Sequence, residues 1–430
     1  MTPFPSRSVR ELRPAARYRT AGLVSHDSLF SVETQRALMA QLSCMKPNHL
    51  LGIALFALIV DAQAATAPAV DARAWLLLDV TTGQELASSQ ADMRIEPASL
   101  TKIMTAYLIY EDLAAARLSL DQKVRISTRA WRVPAGSSRM FLEPGQQVSV
   151  QALLTGLMVQ SGNDAAVALA EASAGSVEAF VARMNRRAAE LGLAHTRFAS
   201  PAGLPDPQTY STARDLGRLA QRYVADFPQW ATRFDAQREF EYGGIRQRNR
   251  NRLLWQDSSV DGIKTGHTGA AGYCLIATAS RSEQGVTRRL IAVVTGTDSD
   301  KSRTQAGQTL LDWGYQAYDL APAWGSPASA RVWMGASDEV SYAPRHAPYL
   351  AVPTGRTPER QVVLNTPLRA PVQAGQQIGE VRWLLDGQVV GQAPLLASEE
   401  VAPASYAGRM MDAATLWVGQ TLNIGPAAGG

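Results

Sequence analysis

Cysteine is almost absent. Cys44 and Cys274 are the only two in 430 residues, too few for a scaffold held by disulfides. Histidine is nearly as scarce, five in all, with no cluster at metal-ligand spacing, so no metal site is expected. Charge of one sign is lacking too. Residues 1–64 hold seven Lys/Arg against four Asp/Glu, and the remainder holds 35 against 34. A nearly neutral body argues against a nucleic-acid partner. Internal repeats and low-complexity tracts are missing, and the longest apolar run near the front is eleven residues, too short to span a bilayer. What is present is a 46% hydrophobic composition, enough for one large domain or two, each with a real core.

The eleven-residue run, Leu50 to Val60, follows a short stretch carrying Lys46 and precedes Ala62-Gln63-Ala64, a small-x-small cleavage site. Residues 45–64 therefore read as a secretory signal peptide. Such signals belong at an N-terminus, so translation is expected to begin at Met45, with 1–44 an extension from a misplaced start and the exported chain beginning near Ala65. Cys44 would then be lost, and Cys274, in an apolar strand-like run, reads as a packed core thiol. An exported chain without disulfides suits a bacterial envelope.

The chain is organised around Glu96-Pro97-Ala98-Ser99-Leu100-Thr101-Lys102. Pro97 suits the start of a helix, and no further Pro or Gly interrupts the run to Leu113. Ser99 and Lys102, three apart, share one helix face. A serine hydroxyl needs a base within hydrogen-bond reach, and a lysine serves if burial or a neighbouring cation favours its neutral amine. The helix is apolar almost all round, as in a buried central helix.

Ahead of this helix, Trp75–Val80 and Gln84–Ser88 read as a β-hairpin. Residues 123–150 are loop-rich. Val150 to Met158 and Ala165 to Ala174 read as helices, and the Ser161-Gly162-Asn163 turn between them would hold a hydroxyl and an amide at a fixed point. Ordinary helix capping by Ser and Asn is the plainer alternative. Residues 176–199 read as mostly helical, and a helix starts near Tyr210, where Asp215 suits a first turn. A basic run from Arg246 to Arg252 shortly precedes Val260-Asp261-Gly262-Ile263-Lys264-Thr265-Gly266-His267-Thr268. There Lys264 and Thr265 would point from a strand edge, and Gly266 would let a ligand backbone approach. Strands at Tyr273–Ala279 and Leu290–Val294 complete an antiparallel sheet, and Arg303 opens the last helix of this part.

Singly these clusters mean little. Together, S-x-x-K, S-x-N and K-T-G in this order and these settings form the trio of penicillin-binding proteins and serine β-lactamases. The chain resembles the low-molecular-mass D-alanyl-D-alanine carboxypeptidases of the penicillin-binding-protein-5 type, peptidase family S11, over about residues 70–422. The carrying stretches are 97–102, 161–164, Asp261 to Thr268 with Ala271-Gly272-Tyr273, and Trp313-Gly314-Tyr315. In the loop Ser200 to Leu204, Ser200 stands where many relatives carry Asn. The resemblance implies an α+β fold: a transpeptidase-like catalytic domain over 70–320, an antiparallel sheet flanked by helices, followed by a small all-β sandwich over 328–403 used as a stalk. It implies Ser99 as nucleophile, Lys102 as general base, Ser161 as proton relay and Asn163 holding the acyl group. Backbone N–H groups of Ser99 and His267 would form the oxyanion hole. Lys264, Thr265, Gly266 and Arg250 would bind the terminal carboxylate, with Asp215 and Arg303 at the border. The implied partners are peptidoglycan stem peptides and β-lactams, and no cofactor is needed. Residues 405–422 would form an amphipathic anchor on the periplasmic face of the inner membrane. A D,D-endopeptidase would use the same residues. A serine β-lactamase would want a dedicated deacylating carboxylate, and a non-catalytic peptidoglycan-binding or penicillin-sensing protein should tolerate loss of Ser99 or Lys102.

Overall fold

The computed structural model describes residues 66–421 apart from 284, 326–327 and 346–347, so the expected signal peptide and the segment before it lie outside the described residues. The expected hairpin is there, as β1 (Ala74–Asp79) and β2 (Glu85–Ser89). With β7 (Val260–Thr268), β8 (Gly272–Glu283) and β9 (Val286–Thr297) they form a five-stranded antiparallel sheet in the order β2-β1-β9-β8-β7. The K-T-G strand is therefore an edge strand.

Both faces of this sheet are covered, which explains why β1 is a continuous apolar run rather than an alternating one. Leu76 and Leu78 face one core with Ile276, Ile291 and Val293, while Trp75 and Leu77 face the other with Leu290, Ala292 and Val294. The first core is closed by helices: α1 (Lys102–Ala114), α2 (Val150–Thr155), α3 (Asn163–Ala174), α4 (Val177–Glu190), α5 (Ala213–Asp226) and α6 (Pro228–Asp235). The second is closed by α7 (Asp300–Ala317) through Leu310 and Leu311. Every residue from Lys102 to Tyr110 is buried, so α1 runs through the core as its all-round apolar surface demands.

Some expectations differ in detail. Residues 123–150 contain two short strands, β3 (Lys123–Arg125) and β4 (Gln147–Ser149), paired as a ribbon. The helical reading of 176–199 holds only to Glu190, because Gly192 at φ 71° reverses the chain and Leu193 N–H closes onto Ala188 O. The basic run forms β6 (Ile245–Arg248), paired with β5 (Glu239–Tyr242), then continues as loop. Cys274 is fully buried, as a core thiol.

Beyond α7 the chain is almost wholly β. Strands β10 (Tyr318–Pro322) and β13 (Tyr349–Pro353) pair with each other. Six more, β11 (Ala328–Trp333), β12 (Glu339–Pro344), β14 (Glu359–Leu364), β15 (Leu368–Arg369), β16 (Gln377–Leu385) and β17 (Gln388–Ala397), form a sheet ordered β14-β16-β17-β12-β11-β15. Their shared core is Val332, Val340, Val352, Val381, Trp383 and Leu395. The Asp386-Gly387 turn joins β16 to β17 with both residues at positive φ, the geometry that matches strand twist. A last helix, α8 (Tyr406–Thr421), follows, docked where Asp412 Oδ2 accepts from Met334 N–H at 2.5 Å.

Candidate active site

The helix carrying Ser99 begins with one tight turn, Ala98–Thr101, before α1 proper. In such a turn residues three apart eclipse, so Ser99 sits directly over Lys102. Lys102 Nζ lies 2.8 Å from Ser99 Oγ, 2.7 Å from Asn163 Oδ1 and 2.7 Å from the Ala202 carbonyl oxygen. The last two can only accept. A neutral amine has two N–H bonds for them and one lone pair left, aimed at the Ser99 hydroxyl. Burial, reinforced by the Arg250 cation and opposed by Asp164, brings Lys102 down to about 7. This is the state a general base requires.

The hydroxyl-amide turn is built with strain. A π-turn over Gly156–Gln160 ends at Ser161, which takes the left-handed conformation at φ 67°. Its Oγ is buried and makes no hydrogen bond to the protein. Asn163 is the first residue of α3, so its side chain serves Lys102 rather than capping a helix end. The capping alternative is thereby replaced by a contact across 61 residues.

Asp164, which follows Asn163 in the 161–164 stretch, organises one wall. Its buried carboxylate accepts from Met140 N–H at 2.9 Å, Leu142 N–H at 3.1 Å and Ala165 N–H at 2.9 Å, clamping the 138–142 segment beside the turn. The loop Ser200–Leu204 makes the opposite wall. Thr105 Oγ1 donates to Pro201 O at 2.7 Å, and Ser200 Oγ accepts from Gly203 N–H at 3.1 Å. Gly203, at φ 70°, is pressed against the nucleophile's own turn: a Cβ there would overlap the Ala98 carbonyl and come within 2.5 Å of Thr101 Oγ1. Gly203→Ala is expected to cost about 2–4 kcal/mol and to lower acylation of Ser99 at least about tenfold. Urea melting alongside fluorescent-penicillin labelling checks both, and unchanged labelling would refute it.

On β7, Lys264 and Thr265 are buried at the sheet edge. A Cβ at Gly266 would lie 3.2 Å from Pro97 O and 3.3 Å from Leu100 N, so the missing side chain also lets the Ser99 turn approach β7 closely. Burial, with the cations of Lys102, Arg250 and Arg303 around it, pushes the Lys264 ammonium well down, and Asp235 opposes this. An incoming carboxylate would relieve that repulsion. Buried Arg303 donates to Gly266 O at 3.2 Å and its guanidinium lies 5.5 Å from the Tyr273 ring, which stacks against His267 at 4.0 Å. Arg250 is exposed on the cleft that His267 and Arg303 also line.

Asp215 lies in the first turn of α5, as its sequence setting suits. Its Oδ2 accepts from His195 N–H and Thr196 Oγ1, both at 2.8 Å, bracing the loop that leads to Ala202. Asp235 escaped the sequence reading altogether. At the end of α6 it is fully buried behind β7, its Oδ1 accepting from Tyr223 Oη at 2.9 Å, and burial holds its carboxyl well above the usual range. No local pattern marks it, since one Asp at a helix end looks like any other. Among the described residues no group of three or more His, Cys, Asp or Glu is placed to hold a metal ion.

Comparison with known proteins agrees with this geometry. Residues 61–299 match the family model described as D-alanyl-D-alanine carboxypeptidase, and residues 317–403 match that of the penicillin-binding protein 5 C-terminal domain. The chain is 40% identical over 361 residues to the D-alanyl-D-alanine carboxypeptidase DacC of Escherichia coli, covering 81% of this chain and 89% of that protein. Its fold matches penicillin-binding protein 5 from Haemophilus influenzae with a TM-score of 0.75 at 36% identity, covering 78% and 99% of the two chains. It also matches penicillin-binding protein D2 from Listeria monocytogenes in its ampicillin-bound form, with a TM-score of 0.52 at 28% identity over 58% of this chain and 99% of that one. The chain belongs to the D-alanyl-D-alanine carboxypeptidase family of penicillin-binding proteins, and it is a serine-type enzyme of that class.

Proposed function

We propose that Ser99, deprotonated by neutral Lys102, attacks the carbonyl of the penultimate D-Ala of a peptidoglycan stem pentapeptide. The observation that carries this reading is the placement of Lys102 Nζ between two obligate acceptors and Ser99 Oγ. The tetrahedral oxyanion is held by the backbone N–H groups of Ser99 and His267, at the start of the nucleophile's helix, where the dipole favours negative charge. Ser161 Oγ passes the proton to the leaving D-Ala nitrogen, and Asn163 orients the acyl part. Lys264, Thr265 and Arg250 take the terminal carboxylate, with Arg303 behind the strand. Collapse of the intermediate breaks the C–N bond and leaves an ester on Ser99. Water hydrolyses it, releasing the shortened peptide. β-Lactams enter the same path and leave Ser99 acylated for longer.

The chain acts outside the cytoplasmic membrane, on the periplasmic face of a bacterial inner membrane, with residues 70–320 as catalytic domain and 328–403 as spacer. Helix α8 supports a peripheral contact: Tyr406, Met410, Met411, Trp417 and Val418 are exposed on it at helical spacing. The deciding experiment incubates the protein with a pentapeptide ending in D-Ala-D-Ala. One D-Ala is released per peptide, and Ser99→Ala lowers the rate by about 10³-fold or more while remaining folded. Release that persists in folded Ser99→Ala would overturn the mechanism.

A further inference from the structure

Residues 246–253 alternate. Arg246, Arg248, Arg250 and Arg252 are exposed, while Gln247, Asn249, Asn251 and Leu253 are buried. Period two belongs to strands, yet β6 ends at Arg248. Beyond that point the segment carrying Arg250 needs partners other than a neighbouring strand.

Two asparagine side chains supply them. Asn249 Oδ1 accepts from Asn251 N–H at 3.0 Å, and Asn251 Oδ1 accepts from Leu253 N–H at 3.2 Å. In each case a side-chain oxygen closes a turn onto the backbone two residues on, and the residues enclosed are Arg250 and Arg252. The amide nitrogens reach into the body of the domain. Asn249 Nδ2 donates to Gln237 O at 3.0 Å and to Asp235 O at 3.2 Å, a carbonyl left open at the end of α6. Asn251 Nδ2 donates to Gly262 O at 2.9 Å, on β7 two residues before Lys264. Asn249 is 7% exposed and Asn251 2%, so removing either amide strands backbone groups that water does not reach.

Arg250 depends on these turns more than its neighbours do. Arg248 is paired with Glu239 at 3.2 Å and Arg252 with Asp300 at 2.5 Å. Among the described residues the Arg250 side chain has neither an ion pair nor a hydrogen bond, so its backbone alone aims the guanidinium. Its cation depresses Lys102, Lys264 and Arg303 alike, which places it near the reacting groups.

We propose that Asn249 and Asn251 are positioning residues, which hold Arg250 at a fixed place beside Lys264 and Thr265 and so set the selectivity for a free terminal carboxylate. The inference rests on the carboxylate role given to Arg250 above and adds what aims it. An arginine whose backbone is fixed gives up less freedom when it binds, and its planar fork meets a carboxylate in one geometry. Both asparagines are buried and act through Arg250 rather than on the substrate.

The test uses the full chain and two pentapeptides, one ending in a free D-Ala carboxylate and one with that carboxylate amidated. Arg250→Gln is the reference: kcat/KM on the free peptide falls about tenfold or more, and the preference over the amide falls with it. Asn251→Ala lowers kcat/KM on the free peptide about tenfold, mainly through KM, and on the amidated peptide no more than about twofold. Asn251→Ala combined with Arg250→Gln does no more damage than Arg250→Gln alone, because both remove one contact. Asn249→Ser keeps a weaker oxygen for the Asn251 N–H, and it gives the same pattern with a smaller loss should the alanine variant not fold. Equal losses on both peptides in the asparagine variants overturn the proposal, as do losses that add to that of Arg250→Gln. A preference left intact in Arg250→Gln overturns the carboxylate role of Arg250 and the proposal with it. Failure of the folded wild type on the free peptide overturns the acyl-enzyme mechanism and everything resting on it.

Discussion

Lys102→Arg lowers acylation of Ser99 by about 10³–10⁴-fold, the range of a lost general base, although charge and length are nearly kept. The reason is protonation. At its ordinary value of ~10.4, about one lysine amine in 2,500 is neutral at pH 7. Burial and the Arg250 cation bring Lys102 to about 7, so near half of the molecules hold a ready base. A guanidinium has no accessible neutral form and no lone pair to offer Ser99. In the wild type, kcat/KM is expected to rise with pH through an apparent value near 7 and then level, because only the neutral amine accepts the proton. Stopped-flow acylation by a fluorescent penicillin from pH 5 to 9 reads this directly, and a flat profile with an active arginine variant would refute the assignment. The same shift enters stability with a definite sign. The folded value lies below the unfolded one, so the unfolded chain binds the extra proton between about pH 7 and ~10.4, and stability rises with pH across that window.

Asp79→Asn costs about 3–5 kcal/mol, the expected loss when a buried charge is stripped of its partner. Asp79 and Arg288 are both wholly buried, with Oδ2 accepting from Nε at 2.7 Å. Arg288 Nη1 also donates to Glu283 at 3.2 Å and to the Tyr318 carbonyl at 2.7 Å, so one guanidinium ties β1, β8 and β9 to the first strand beyond α7. Asp79 Oδ1 accepts from Thr82 N–H at 3.0 Å and shapes the β1–β2 turn. Asparagine keeps the shape but removes the buried carboxylate, leaving only the more distant and partly exposed Glu283 to face the cation. Replacing both, as Asp79→Leu with Arg288→Met, removes the charge along with its partner and is expected to recover most of the loss. Urea denaturation of the three proteins measures it. A loss below about 1 kcal/mol for Asp79→Asn would show that the remaining carboxylate, Glu283, suffices.

Much of the site was legible because its chemistry is written in local strings. Ser99 and Lys102 lie within one turn, Ser161 and Asn163 within another, and Lys264 to Gly266 on one strand, so residue type and short spacing carry them. The faces of β1 and the all-round burial of α1 follow from periodicity of the same short range. Asp215 shows the limit of such reading, since its place in a first turn was clear while its partners His195 and Thr196 were not. Asp235 and the Ala202 carbonyl had no local signature at all.

The amino-acid sequence by itself determined which groups are present, their order along the chain and the helix, turn or strand that carries each. Only the tertiary structure decided that Lys102 is a base. That property needs burial, the Asn163 side chain 61 residues away, the Ala202 carbonyl 100 residues away and the Arg250 cation further still. It also decided that Gly203 and Gly266 serve the approach of the nucleophile's turn, and that four arginines from two segments, Arg248, Arg250, Arg252 and Arg303, line one cleft. Proton affinity, close approach and net field depend on what lies nearby in space, and sequence separation places no limit on that distance.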